Sequence, residues 1–309
     1  MKPMSSPHDA AAPGDTAGLP IFGRVITAMV TPFDADGAVD LGRAAELAVR
    51  LVDEQGNDSL VINGTTGESP TTTDAEKADL VRTVTAAVGD RAQVIAGVGT
   101  FDTHHTIDLA HQAADAGADG LLVVTPYYSR PPQDAVAEHF LAVADATDLP
   151  IMIYDIPHRS GVEVETDTFL RLAEHPNIRA VKDAKGLPAA SSVVMAQTSL
   201  AYYSGDDGMT LPLMAVGGAG VVGTSTHFTG RRTREMVEAF VAGRLDEALA
   251  LHRALLGVYT GVFATQGVML VKAGLAHQGF EVGGVRRPLK DASPEQAAVF
   301  AALLDAADL

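Results

Sequence analysis

Eight short apolar runs limit what this chain can become. They are TAMV (27–30), LVIN (60–63), VIAG (94–97), LLVV (121–124), IMIY (151–154), RAVK (179–182), AYYS (201–204) and GVVG (220–223). Most are near-continuous and β-branched, as strands covered on both faces must be. Helical periodicity fills most of the gaps, for example at 41–52, 74–88, 103–116, 133–146 and 166–173. Buried strands alternating with helices imply an α/β fold with a parallel sheet. Eight such units, about 19–34 residues apart, imply a (β/α)8 TIM barrel in preference to an open doubly wound sheet.

After the eighth run the chain is almost wholly helical, at 231–242, 245–259, 268–278 and 294–307. Three parts are expected: a mobile tail at 1–20, the barrel at 21–233, and a C-terminal helical extension at 234–309. The tail has no apolar core of the kind a secretory signal needs, and no run of 18 apolar residues occurs. The formal net charge of −17 argues against nucleic acid or an anionic membrane as partner. An anionic substrate stays compatible with a locally positive pocket. With no cysteine, disulfides, zinc–thiolate sites, iron–sulfur clusters and a thiol nucleophile drop out, and a cytoplasmic location fits.

Polar motifs sit just after the apolar runs. GTTGES (64–69) follows the second, PYYSRPP (126–132) the fourth and YDIPHRSG (154–161) ends the fifth; Lys182 ends the sixth and SGDD (204–207) the seventh. In a barrel all strand C-termini open on one face, so these motifs converge in space.

Of six lysines, only Lys182 ends a strand-like run. Lys2 lies in the tail, and Lys77 reads as part of a solvated helix face among Asp74, Glu76 and Asp79. Lys185 lies in the following loop, and Lys272 and Lys290 belong to the extension. A lysine desolvated at a strand end has a lowered pKa and a nucleophilic free amine. It could equally be a snorkelling or ion-paired residue, with Asp183 as partner.

The GTTGE glycines allow tight turns, and its hydroxyls and backbone N–H groups suit a small carboxylate. Ser69, Thr73 or Asp74 could instead simply cap the next helix. Tyrosine hydroxyls can relay protons through a Tyr–Thr–Tyr chain, or Tyr127 and Tyr128 can plug a barrel mouth or subunit interface. Arg159 could grip a carboxylate bidentately or form a surface ion pair. Of Asp206 and Asp207, which point to opposite faces, one is expected to be structural.

Two patterns are set aside. Gly218 to Gly223 fits G-x-G-x-x-G but contains a strand where the dinucleotide motif should follow one. The ten histidines include no H-E-x-x-H, and His104, His105 and His111 read as surface. No metal is expected.

GTTGES, VTPYYSRPPQ (124–133), YDIPHRSG, VKDAK (181–185) and SGDD occur in order, one per barrel unit. On these motifs the chain, from about Arg24 to its C-terminus, resembles the pyruvate-dependent class I aldolases of the dihydrodipicolinate synthase/N-acetylneuraminate lyase family. The resemblance implies that Lys182 forms a Schiff base with pyruvate, with no cofactor. Tyr154, Thr65 and Tyr128 would relay protons, with Tyr127 near a tight dimer interface. Thr66 would hold the pyruvate carboxylate, Val222 would offer its carbonyl near it, and Gly64 and Gly205 would help form the substrate site. Arg159 would hold the carboxylate of L-aspartate 4-semialdehyde and mark the lysine-biosynthetic branch, in a homotetramer made of tight dimers. Another pyruvate aldolase of the family, or a catalytically silent keto-acid-binding barrel, is the alternative.

There are departures from the family pattern. Asp155 stands where many members carry Asn, and His158 replaces a small residue. Asp74 and Lys77 replace the histidines of the lysine-feedback pocket, so weak or absent feedback is expected.

Overall fold

A computed structural model describes residues 20–309. The expected tail lies outside the described residues except for Pro20. All eight runs form strands: β1 Val25–Ala28, β2 Ser59–Ile62, β3 Gln93–Gly97, β4 Gly120–Val124, β5 Ile151–Asp155, β6 Ile178–Asp183, β7 Ala201–Ser204 and β8 Gly220–Gly223. They pair in parallel in sequence order, and β8 returns to β1 to close the barrel. The first strand starts two residues earlier than TAMV suggested. VITAMV is apolar throughout, so composition alone does not show which residues enter the ladder.

Around the barrel lie α1 Leu41–Val49, α2 Asp74–Val88, α3 Thr103–Asp115, α4 Gln133–Asp145, α5 Pro157–Ser160, α6 Thr166–Leu172, α7 Pro188–Met195, α8 Thr210–Met214 and α9 Thr226–Val241. A π-helical turn, Arg50–Glu54, follows α1. The extension holds α10 Leu245–Gly261, α11 Gly267–His277 and α12 Pro294–Ala306. The boundary expected at 233/234 falls inside α9, which is one continuous helix. The chain next turns at Gly243, with φ of 75°, before α10.

Alternation along each strand sorts the core into two shells. Ile26, Val61, Ile95, Leu122, Met152, Ala180 and Val222 fill the barrel interior. Leu60, Val94, Val123, Ile153, Val181 and Tyr202 face the helices. Phe22 belongs to the inner shell, and its N–H donates to the Tyr203 hydroxyl at 3.2 Å. Gly120 is required beside it, because a Cβ there would come within 2.6 Å of the Phe22 ring.

The same alternation places the chemistry. Tyr154 pairs in register with Lys182, and both point inward with the interior shell. Their successors Asp155 and Asp183 also pair and point outward. After GTTGES, Thr73 caps α2 and Glu76 closes a capping box.

Candidate active site

Two adjoining cavities open at the C-terminal end of the barrel. One, of about 350 Å³, is lined by residues that include Thr65, Thr66, Tyr154, Arg159, Lys182 and Gly205. The other, of about 240 Å³, includes Gly64, Thr65, Tyr127, Tyr154 and Arg159. Thr65, Tyr154 and Arg159 belong to both.

Lys182 is 4% exposed, and its Nζ lies 4.2 Å from the centroid of the Tyr154 ring. Burial lowers its pKa to about 8; the Asp207 carboxylate opposes this, and the Arg159 charge adds to it. Roughly a tenth of such an amine is free at pH 7, where an ordinary lysine has almost none. Burial pushes the Tyr154 phenol up to about 12, with Arg159 and a hydrogen bond to the Thr65 side chain pulling the other way. The phenol therefore stays protonated at neutral pH and can pass a proton to a neighbour and take one back.

Asp207 is the structural member of its pair. It is buried and accepts from the backbone N–H of Thr224 (3.1 Å) and Ser225 (3.0 Å) and from the Ser225 hydroxyl (2.6 Å). Those bonds hold the turn after β8. Asp206 accepts from the Gly208 N–H at 2.9 Å and shapes its own turn. Gly205 keeps space beside the nucleophile, since a Cβ there would sit 3.2 Å from Cγ of Lys182.

Thr66 and Thr224 bring their hydroxyls within 3.4 Å. The Arg159 guanidinium donates to Gln266 Oε1 at 3.1 Å. The exposed His158 also lines the larger cavity.

One expected member, Tyr128, lies apart from both cavities. Tyr128 is 94% exposed, with φ of 72°, and lines neither cavity; Tyr127 lines the smaller one and meets Phe101 edge-on at 5.4 Å. Val222, expected to act through its backbone carbonyl, places no side chain in either cavity and packs in the barrel interior.

One reading of the other lysines needs correction. Lys77 is not on a solvated face. It is buried, and its ammonium donates to the Thr72 carbonyl at 2.5 Å. Helix α2 turns that position toward the barrel, although its sequence neighbours are acidic. Lys185 lies in the loop after β6, as expected, and its Nζ lies 3.0 Å from the buried Asp155 carboxylate and donates to the Val164 carbonyl at 3.1 Å.

Some cavity residues carried no sequence signal. Gln266, Thr265 and Phe263 come from the turn between α10 and α11, far along the chain. Thr224 directly follows the eighth apolar run, so the rule that found the other motifs could have found it.

A closed barrel with a buried, low-pKa lysine against a phenol on the neighbouring strand belongs to the class of barrel enzymes that join carbonyl compounds through a lysine imine. The model of the dihydrodipicolinate synthetase family matches residues 21–307. The 4-hydroxy-tetrahydrodipicolinate synthase of Cutibacterium acnes is 65% identical over 94% of this chain and 99% of its own length. That of Acidothermus cellulolyticus is 64% identical over 90% of each. A dihydrodipicolinate synthase structure from Bacillus anthracis superposes with a TM-score of 0.90 at 42% identity, covering 92% of this chain and 98% of that one. One from Cyanidioschyzon merolae, with lysine bound, gives 0.91 at 41%, covering 93% and 99%. The chain belongs to the dihydrodipicolinate synthetase family, and it is a lyase.

Proposed function

We propose that this enzyme condenses pyruvate with L-aspartate 4-semialdehyde to 4-hydroxy-tetrahydrodipicolinate, in the route to diaminopimelate and lysine. The observation that carries the reading is Lys182, buried with a lowered pKa against Tyr154. Relatives of 50–65% identity that bear this activity support it.

The free Lys182 amine adds to the pyruvate ketone, and loss of water gives an imine. Loss of a methyl proton turns the imine into an enamine, whose carbon attacks the aldehyde. The aldehyde oxygen takes up a proton and becomes the hydroxyl. The amino group of the semialdehyde then attacks the imine carbon, closes the ring and releases the lysine. Tyr154, with Thr65, is the group placed to carry these protons. Thr66 receives the pyruvate carboxylate, and Arg159 that of the semialdehyde. The imine is itself the electron sink.

Tyr128 enters this scheme from a second copy. A tyrosine 94% exposed in a left-handed backbone conformation, beside a site that lacks it, suits a residue shared between subunits. We place the enzyme in the cytoplasm as a homotetramer of tight dimers. Among the described residues no helix is long and apolar enough to cross a membrane.

Borohydride reduction in the presence of pyruvate should add one pyruvate-derived mass to the wild type, on Lys182, and none to Lys182→Ala. Trapping that survives the substitution would refute the assignment. A substrate panel read through a coupled reductase tests the second substrate.

A further inference from the structure

We infer that the C-terminal extension holds the 64–69 loop in its working shape through a buried charge network, with Glu68 and Lys272 as positioning residues for Thr65 and Thr66. The inference rests on the roles proposed above for those two threonines.

Glu68 is the one charged member of GTTGES, and neither the Schiff-base chemistry nor substrate binding uses it. It is 3% exposed and has a φ of 55°, a region that non-glycine residues seldom enter. Its Oε1 lies 2.9 Å from Nζ of Lys272 on α11, and its Oε2 accepts the Arg286 backbone N–H at 2.8 Å. The Lys272 ammonium also donates to the Gly284 carbonyl at 2.6 Å. The Arg286 side chain donates to Glu76 at 2.6 and 3.0 Å and to the Thr71 carbonyl at 2.8 Å. Both cations lie against the Phe33 ring, at 4.2 and 4.3 Å from its centroid. The extension therefore grips the loop and the start of α2 at three points: Glu68, Thr71 and Glu76.

The grip reaches the threonines through a single turn. The Glu68 N–H donates to the Thr65 carbonyl at 3.1 Å, and the Ser69 N–H to that of Gly64 at 3.3 Å. Moving Glu68 therefore moves the backbone that carries the Thr65 and Thr66 hydroxyls. A buried ion pair is a poor device for stability alone, because desolvating two charges offsets much of their attraction. Its directionality suits the fixing of a loop. Lys272 lines neither active-site cavity, so its effect on the reaction has to pass through Glu68.

The test compares wild type with Glu68→Gln, Lys272→Met, the double variant and Glu68→Asp. Each is measured by thermal melting, by borohydride trapping of pyruvate on Lys182, and by kcat and KM for pyruvate. Either single neutralisation leaves one buried charge unpaired and should lower Tm sharply. The double variant removes both charges with side chains of similar shape and should melt near the wild type. It is nevertheless expected to lose about 10- to 100-fold in kcat/KM for pyruvate, as a loop misplaced by a fraction of an ångström would. A double variant with wild-type melting and wild-type kcat and KM would overturn the inference, since a merely structural pair predicts that result. If the double variant does not fold, Glu68→Asp decides. It keeps the charge and tolerates the left-handed backbone but shortens the reach. A fall in kcat/KM at unchanged Tm supports the inference, and unchanged kinetics overturn it. Absence of trapped pyruvate on wild-type Lys182 would instead count against the functional reading, so the two failures are distinguishable.

Discussion

Lys182 shows how one side chain can serve the reaction at the expense of the fold. Its pKa of about 8, against an ordinary 10.5, comes first from burial. Imine formation needs the free amine, so the rate of pyruvate trapping should rise from pH 7, pass its half-maximum near pH 8 and level off above about pH 9. The linkage to stability has a definite sign. Between pH 8 and 10.5 the unfolded chain binds more protons at this site than the folded one, so stability rises with pH there. Below pH 8 the full destabilisation is present, about 3 kcal/mol at roughly 1.4 kcal/mol per pH unit. Lys182→Met should therefore be inactive yet melt higher than wild type at pH 7, with the advantage shrinking toward pH 10.5. A lower Tm at pH 7 would show that burial does not disfavour this charge. The lysine was legible as a candidate because it alone ends an apolar run. Its burial was not, since Lys77 and Lys272 are buried too and only packing sets them apart.

At the scale of elements, β5 and β6 carry a second paired set behind the catalytic one. Asp155 and Asp183 sit in register on the outer face, and Lys185 pairs with Asp155 at 3.0 Å. Burial pushes the Asp155 carboxyl up to about 6, with the Lys185 charge opposing. Asp155 thus has a charge partner in this chain. Removing only the cation, as in Lys185→Met, should lower stability by about 3–5 kcal/mol, and adding Asp155→Asn should restore most of it. Urea melts of the single and double variants would check this, and an additive double variant would refute the pairing. Helix α2 bears on regulation. Its Asp74 is 2.9 Å from His105, and its Lys77 is committed to Thr72, at the two positions where the resemblance leads one to expect the histidines of a lysine-feedback pocket. We expect no inhibition by lysine in the sub-millimolar range. Half-inhibition there in a steady-state assay would contradict this reading of α2.

At the scale of the whole molecule, a site that lacks Tyr128 predicts behaviour that one chain cannot show. Lys182→Ala and Tyr128→Ala should each be inactive alone. Refolded together, they should recover activity at about a quarter of the wild-type sites, because half the dimers are mixed and each holds one complete site. No recovery, with mixed dimers present by mass spectrometry, would mean that Tyr128 does not act across subunits.

Much of this architecture was legible in the sequence, for a local reason. Buried parallel strands must be apolar throughout, and barrel loops gather function at strand C-termini, so eight runs with polar motifs behind them announce a barrel and its active face. The two-residue periodicity of a strand is also local, and it put Tyr154 and Lys182 on one side once their strands were neighbours. What the tertiary structure alone decided is long-range. The turn before α11 brings Gln266 to Arg159, Lys272 reaches Glu68 across most of the chain, and Lys77 turns inward despite its acidic neighbours. Contacts between distant segments leave no periodicity behind, because they depend on where closed strands and packed helices come to rest.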